Sequence, residues 1–269
     1  MKKSLILLLL PLVFAGCSLP VAELPRNSLP TDTANQATAE PKWEHLKQGL
    51  DGKKMTTTYE EHVYTALVFK LDNKLTQWNL SHSTEPKRLS QWAVELQSDV
   101  TINGAFFTED FLPTGIFKAD NQTLGKNAYS GESIGTISIE NGRLSLVTGD
   151  KKPTGQEVFQ SFPLLIRPDK TEAIEQDSEK IARRTIIGGD NNDFTYIVIF
   201  DTTPLSLYTA SIVLPRLLPE LTWALNLDGG PSTGIYIADA NNPLSVLPAA
   251  GLPIVLSAKM AAPASPRGQ

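Results

Sequence analysis

Asp228 is the carboxylate with the most telling surroundings in this chain. It follows the apolar run Trp223–Leu227 and precedes Gly229, Gly230, Pro231, Ser232, Thr233 and Gly234; Ile235-Tyr236-Ile237 is then apolar again. A chain patterned this way enters as a strand, turns, and leaves as a strand, with its functional groups gathered at the turn. Gly229 and Gly230 permit positive φ and let backbone approach a ligand closely. Successive N–H groups in such a turn make an anion-binding concavity. Pro231 has no N–H, so the donors belong to Gly229, Gly230, Ser232 and Thr233. Asp-Gly between apolar strands also signals a β-hairpin, and the expected scaffold is a hairpin presenting Asp228.

Gly230-Pro231-Ser232-Thr233-Gly234 fits the G-x-S-x-G pattern of serine hydrolases. That motif needs a helix after the serine and a histidine later in the chain. Here a strand-like run follows, and His45, His62 and His82 all lie upstream. Ser232 is therefore read as a positioning group and not as a nucleophile.

Three other apolar runs end in polar groups: Val100-Thr101-Ile102 at Asn103-Gly104, the run after Arg184-Thr185, and Thr195–Phe200 at Asp201. Strand ends of a rigid sheet hold groups in place while the loops admit a ligand. Arg184 offers a permanent planar charge that suits phosphate or carboxylate. Asn103 offers an amide for sugar hydroxyls, and Phe106 or Phe107 a ring for a sugar face, although such rings are more often core. Arg184 in a purely structural salt bridge and Asp201 as a simple strand terminus are the plainer readings of those two.

These groups need elements to carry them. Residues 61–71 are apolar at both parities, as in a central strand, and 75–80 are expected to pair with it. Residues 85–97 read as a helix capped by Ser83 or Thr84, with Pro86 in its first turn and Leu89, Trp92, Ala93 and Leu96 on one face. Ile134–Ile139 and Arg143–Val147 make a hairpin about Asn141-Gly142. Thr185–Gly188 and Thr195–Asp201 make another, with 189–193 as its loop. Ser206 caps a helix to about Val213 that Pro215 ends or bends, and 252–259 form a last strand. Strands dominate and helices follow them irregularly. The expected fold is α+β, with a mainly antiparallel or mixed sheet, a few helices and a single domain.

The N-terminus reads as a targeting segment. Lys2 and Lys3 precede the apolar stretch Leu5–Phe14, and Ala15-Gly16-Cys17 resembles a lipoprotein cleavage site with Cys17, the only cysteine, as the lipidated residue. The expected divisions are a signal peptide over 1–16, Cys17 with a flexible tether to 42, a domain over 43–260, and a loose tail over 261–269. Ser18 after the cysteine points to an outer membrane where the cell has one. Cleavage removes two lysines and no acid, taking the formal charge from −5 to −7. So acidic a chain, lacking a basic run, is a poor nucleic-acid binder. One cysteine excludes an intrachain disulfide framework and a cysteine-rich zinc site.

Four stretches occur in order: Thr101-Ile102-Asn103-Gly104-Ala105-Phe106-Phe107, Pro113-Thr114-Gly115, Ala182-Arg183-Arg184-Thr185-Ile186-Ile187-Gly188, and Asn226-Leu227-Asp228-Gly229-Gly230-Pro231-Ser232-Thr233. In them the chain resembles the phosphodiester glycosidase family, which includes the lysosomal uncovering enzyme, over roughly residues 62–258. The family often has Asp-Gly-Arg where this chain has Asp201-Thr202-Thr203, and Asp-Gly-Gly-Gly-Ser-Ser where it has Asp228-Gly-Gly-Pro-Ser-Thr.

The resemblance implies hydrolysis between C1 of a sugar and a phosphate oxygen. A phosphate leaves readily, so stabilising its charge matters more than protonating it. Arg184 and the Gly229 and Gly230 N–H groups are expected on the phosphate. Asp228 would act as base, nucleophile or oxocarbenium stabiliser. Asn103, Gly104, Phe106, Thr185, Ser232 and Thr233 would position the substrate, and Glu109, Asp110 or Asp190 would supply a second carboxylate. No cofactor and no catalytic metal are expected; a divalent ion, if one binds, would be structural. The alternatives are a non-catalytic lipoprotein that binds anionic glycans, and a metal-dependent phosphodiesterase that cleaves P–O.

Overall fold

Along Phe194–Phe200 the side chains are buried on both faces, Ile197 and Ile199 on one and Tyr196, Val198 and Phe200 on the other. A strand of this kind needs a layer above and a layer below. The computed structural model supplies both; it describes residues 42–125, 128–149, 151–169, 174–239 and 243–261. Cys17, the tether as far as residue 41, and the tail from 262 lie outside the described residues.

The central layer is a seven-stranded sheet in the order β1 (Glu44–Lys47), β2 (Leu50–Tyr59), β3 (His62–Asp72), β13 (Phe194–Leu205), β12 (Ala182–Gly189), β14 (Trp223–Asn226), β11 (Leu164–Ile166). One face packs on two five-stranded sheets. The first runs β16 (Leu244–Val246), β15 (Ile235–Ile237), β5 (Val100–Asn103), β17 (Leu252–Met260), β4 (Thr76–Lys87). The second runs β7 (Gln122–Leu124), β6 (Phe117–Ala119), β10 (Glu157–Ser161), β8 (Gly135–Glu140), β9 (Arg143–Val147). The other face of the central sheet is covered by α2 (Leu207–Leu217). Helix α1 (Leu89–Leu96) closes the outer face of β17, where Trp92 Nε1 donates to the Leu252 carbonyl at 2.9 Å. Every strand pairing among the described residues is antiparallel, in keeping with the β-rich α+β class expected. None of the described helices is long and apolar enough to cross a membrane.

Local chemistry explains several elements. Asn141 and Gly142 both take positive φ, 50° and 77°, the conformation a two-residue hairpin requires. Ser206 caps α2, its Oγ accepting from the Thr209 N–H at 3.1 Å. Pro215 does not end α2, which continues to Leu217. An interior proline costs about 3 kcal/mol, whereas Leu214, Leu217 and Leu218, all buried, contribute roughly 1.5–3 kcal/mol each. Helix α1 begins later than expected, at Leu89, because β4 stays paired with β17 as far as Lys87 and Pro86 disfavours helix at the residue before it. Residues 75–80 do not pair with β3; they open β4 and pair with β17 in another sheet. Their alternation marked a strand without marking its partner.

One side chain ties these layers together at one end. Asn103, the last residue of β5, is 1% exposed. Its Oδ1 accepts from Thr185 Oγ1 on β12 at 2.6 Å and from the Gly234 N–H at 3.1 Å. Its Nδ2 donates to the Asp228 carbonyl at 2.6 Å. The Asp228 N–H reaches the Gly104 carbonyl at 3.2 Å, and the Leu227 N–H reaches the Thr185 carbonyl at 2.9 Å. Asn103→Ala would leave buried donors unpaired, and we expect it to cost roughly 2–4 kcal/mol. Thermal melts should show a fall of roughly 2–4 °C for each kcal/mol lost.

Candidate functional site

The ends of β5, β12 and β14 meet around residues 226–234. Pairing of Ile186 with Asn226, continued by the Leu227–Thr185 hydrogen bond, brings Arg184 across from Asp228. Beyond Asp228 the chain does not fold back as the expected hairpin. β14 belongs to the seven-stranded sheet and β15 to a five-stranded one, so the turn crosses between sheets. Two features make the crossing. Gly230 adopts φ 58°, and Gly230–Ser232 form one 3-10 turn opened by Pro231.

Asp228 is largely buried. Burial raises its pKa from the usual carboxylate value, against the opposing pull of hydrogen bonds from the Ser232 side chain and the Gly229 N–H. The Gly229 N–H lies 2.9 Å from Oδ1. Ser232 thus lies beside the carboxylate and favours its charged form. The ring nitrogens of the three histidines contact other groups, His45 at Asp51, His62 at the Glu60 carbonyl and His82 at the Phe111 carbonyl. The serine-hydrolase pattern has no geometry behind it.

The donors of the turn divide unequally. The Gly229 N–H serves Asp228, the Ser232 N–H serves the Gly229 carbonyl, and the Thr233 N–H serves the Gly230 carbonyl. Among the described residues, that leaves the Gly230 N–H as the donor open to a ligand. Gly229, expected to share that task, is already occupied.

Arg184 is 8% exposed. Its Nε donates to the Leu205 carbonyl at 3.1 Å and one Nη to the Lys180 carbonyl at 2.7 Å. The other Nη lies 3.6 Å from where a Cβ on Gly229 would sit, an ordinary contact distance, and the tighter neighbour of such a Cβ would be the Arg183 carbonyl oxygen at 3.0 Å. Burial lowers the guanidinium's pKa, yet it stays charged at any working pH. Among the described residues it has no carboxylate partner, and it makes no ion pair with Asp228. Its neighbour Arg183 is the one that pairs: its Nε is 2.7 Å from Asp201 Oδ1, close in distance but without hydrogen-bond geometry. Asp201 does not end its strand, which runs on to Leu205.

Asn103, Gly104, Thr185 and Thr233 are buried and support the turn from beneath, whereas Asp228, Gly229, Gly230, Ser232 and Phe106 are partly open. A Cβ on Gly104 would come 2.6 Å from Ile254 Cγ2. Thr233 Oγ1 and Asn226 Oδ1 are buried without a partner, as happens where an ordered water belongs. Of the proposed second carboxylates, Asp190 lies past the far end of β12, where it accepts from the Asn192 and Phe194 N–H groups and from Tyr196. That is roughly 20 Å of strand from Arg184. Glu109 and Asp110 sit in an exposed turn closed by the Thr108 N–H and the Leu112 carbonyl. No group of three or more His, Cys, Asp or Glu that could hold a metal occurs among the described residues.

Two aromatic residues escaped the sequence reading. The Phe106 ring centroid lies 4.9 Å from that of Phe162, and Tyr129 meets Phe162 edge-on, also at 4.9 Å. Asn226 Nδ2 donates to the Phe162 carbonyl at 3.0 Å, tying this group to the strand that delivers Asp228. Neither residue lies in a patterned motif; the available signal was Phe162-Pro163 interrupting an apolar run.

The sequence profile of the phosphodiester glycosidase family matches residues 97–251. No curated protein matches the chain. Among solved structures, the chain is similar to the catalytic domain of zebrafish N-acetylglucosamine-1-phosphodiester alpha-N-acetylglucosaminidase, auto-inhibited by its pro-peptide. That similarity has a TM-score of 0.56 at 14% identity and covers 83% of this chain and 88% of that one. A hypothetical protein from Synechocystis aligns with a TM-score of 0.54 at 15% identity, over 81% of this chain and 63% of that one. At such identities the likeness is one of fold. The profile match, however, spans more than half of the 269 residues and takes in Asn103, Arg184 and the whole Asp228 turn, and the chain belongs to the phosphodiester glycosidase family.

Proposed function

We propose that this protein is an envelope-anchored glycosidase that hydrolyses the bond between C1 of a sugar and a phosphate oxygen of a phosphodiester. The observation that carries the reading is Arg184: a buried guanidinium without a carboxylate partner, one Nη directed towards Gly229, across a strand pair from the buried carboxylate of Asp228. An unpaired buried charge is costly, and a phosphate anion would repay that cost. Arg184 and the Gly230 N–H hold the phosphate. Asp228 takes a proton from water as the water oxygen bonds to C1. The C1–O bond breaks, and its electron pair leaves on the phosphomonoester. A pKa raised towards the working pH suits a general base. The buried Asn103, Thr185 and Thr233 hold this geometry without touching substrate. Support for the anchor comes from Lys2, Lys3, the apolar Leu5–Phe14 and Cys17.

The reaction is tested with synthetic methyl glycosyl-1-phosphates in ¹⁸O-labelled water. Free sugar carrying the label, with unlabelled methyl phosphate, is the expected result. Label in the phosphate would mean P–O cleavage and a phosphodiesterase, and binding without turnover would mean a glycan-binding lipoprotein. Asp228→Asn should lower kcat/KM by roughly 10²–10⁴-fold, and wild-type kcat/KM should rise with pH through the raised Asp228 pKa to a plateau. A fall with pH would make Asp228 an acid.

Stability should move the opposite way. Because the folded-state pKa of Asp228 is raised, its protonated form stabilises the protein below the ordinary carboxylate value. That contribution is lost as pH rises through the raised value. Asp228→Asn, which cannot ionise, is expected to melt above wild type at neutral pH, with the gap closing on acidification. Cys17→Ser should shift the full-length chain from the membrane pellet to the soluble fraction on cell fractionation.

A further inference from the structure

The aromatic group beside the Asp228 turn is built more firmly than a chance cluster. Tyr129 is clamped at both ends. Gln160 Oε1 accepts from its backbone N–H at 2.9 Å, and Gln160 Nε2 donates to its carbonyl at 3.3 Å. The Tyr129 hydroxyl is hydrogen-bonded to Thr114 Oγ1. Its ring lies over Gly115, where a Cβ would come 2.7 Å from Cε2. The Pro113-Thr114-Gly115 stretch thus has a physical role: Thr114 holds the phenol and Gly115 makes room for its ring. The Thr114 N–H and hydroxyl both reach back to the Phe106 carbonyl, at 3.1 and 3.2 Å.

Phe162 completes the group. It is 37% exposed although Asn226 fixes its backbone, with Nδ2 on the Phe162 carbonyl and N–H on the Pro163 carbonyl, both at 3.0 Å. Both ends of the group lead to Asp228. Phe106 lies two residues after Gly104, which accepts from the Asp228 N–H, and Asn226 lies two residues before Asp228. Large rings held rigid and left partly open beside a buried carboxylate present an apolar face at no ordering cost on binding.

We propose that Phe106, Tyr129 and Phe162 form the subsite for the glycosyl ring, stacking against a contiguous C–H face of a pyranose while Arg184 and Gly230 take the phosphate. The substrate is then a glycosyl phosphodiester whose sugar carries such a face, not one recognised through its phosphate alone. This inference rests on the glycosidase reading for the identity of the ligand, and its test reads binding separately from turnover.

Methyl glycosides of glucose, galactose, mannose and N-acetylglucosamine are titrated into the purified domain by saturation-transfer NMR, with inorganic phosphate titrated in parallel. At least one glycoside should bind, with saturation strongest on ring C–H protons. Phe162→Ser should weaken that binding about tenfold and Phe162→Trp should restore it, with phosphate affinity unchanged in both. Phe162 is open enough that the serine variant should keep its melting temperature. In turnover, Phe162→Ser should raise KM with kcat nearly unchanged. Glycoside binding equal in wild type and Phe162→Ser would overturn the subsite, as would phosphate binding with no glycoside binding. Phe162-dependent glycoside binding in a protein that releases no sugar would uphold the subsite and overturn the catalytic reading.

Discussion

The geometry at Asp228 depends on one primary amide. Asn103 reaches three groups on two chain segments distant from it in sequence, and nearly all its polar capacity is spent on them. A hydroxyl or a carboxylate could not replace it, since the position needs one donor and an acceptor for two hydrogens at a fixed angle. Being almost fully buried, it makes these bonds without competition from water, and leaving any one unmade would be expensive. Arg184 and Asp228 then need no contact with each other to be held in register.

That separation of charges is the second constraint. A guanidinium and a carboxylate on facing positions of neighbouring strands would often pair. Here backbone carbonyls hold the first, while a glycine N–H and a serine hydroxyl hold the second. Each is solvated by fixed dipoles and neither is neutralised. The neighbouring Arg183–Asp201 pair shows the ordinary solution, one residue from the unusual one. Under the proposed reading, these two unquenched charges are what a charged ligand would meet.

Local signals in the sequence were reliable wherever one residue type had a single physical use. Asn141-Gly142 marked its hairpin, Ser206 its cap, and the apolar residues at both parities of 61–71 the interior place of β3. The candidate site residues at strand ends stood out for a similar reason, since a polar group closing an apolar run is conspicuous. Partners were not legible. The alternation of 75–80 marks a strand and its faces but carries no information on which sheet receives it. β1 and β2 went unrecognised because Lys53, Lys54 and Thr56–Thr58 dilute the apolar signal of a strand with one wet face. The Asp-Gly signal at 228 named a hairpin because it reports local turn chemistry, while the crossing between sheets is set by the long-range pairings of β15 with β5 and β16. Roles were harder still. Asn103, Thr185 and Thr233 carry groups that suit a sugar, and only burial shows that they face inwards.

The crossing has a mechanical meaning. The segment from Asp228 to Gly234 is fastened at one end to the central sheet and at the other to a five-stranded sheet packed against it. Its span is therefore a gauge of the spacing between two layers, set by the side chains of the shared core many residues away. Trimming Ile199 or Leu256 would slacken that spacing and reach the carboxylate as a change of pitch, with no residue of the site altered. The tolerance of this site to substitution is thus a property of the whole sandwich.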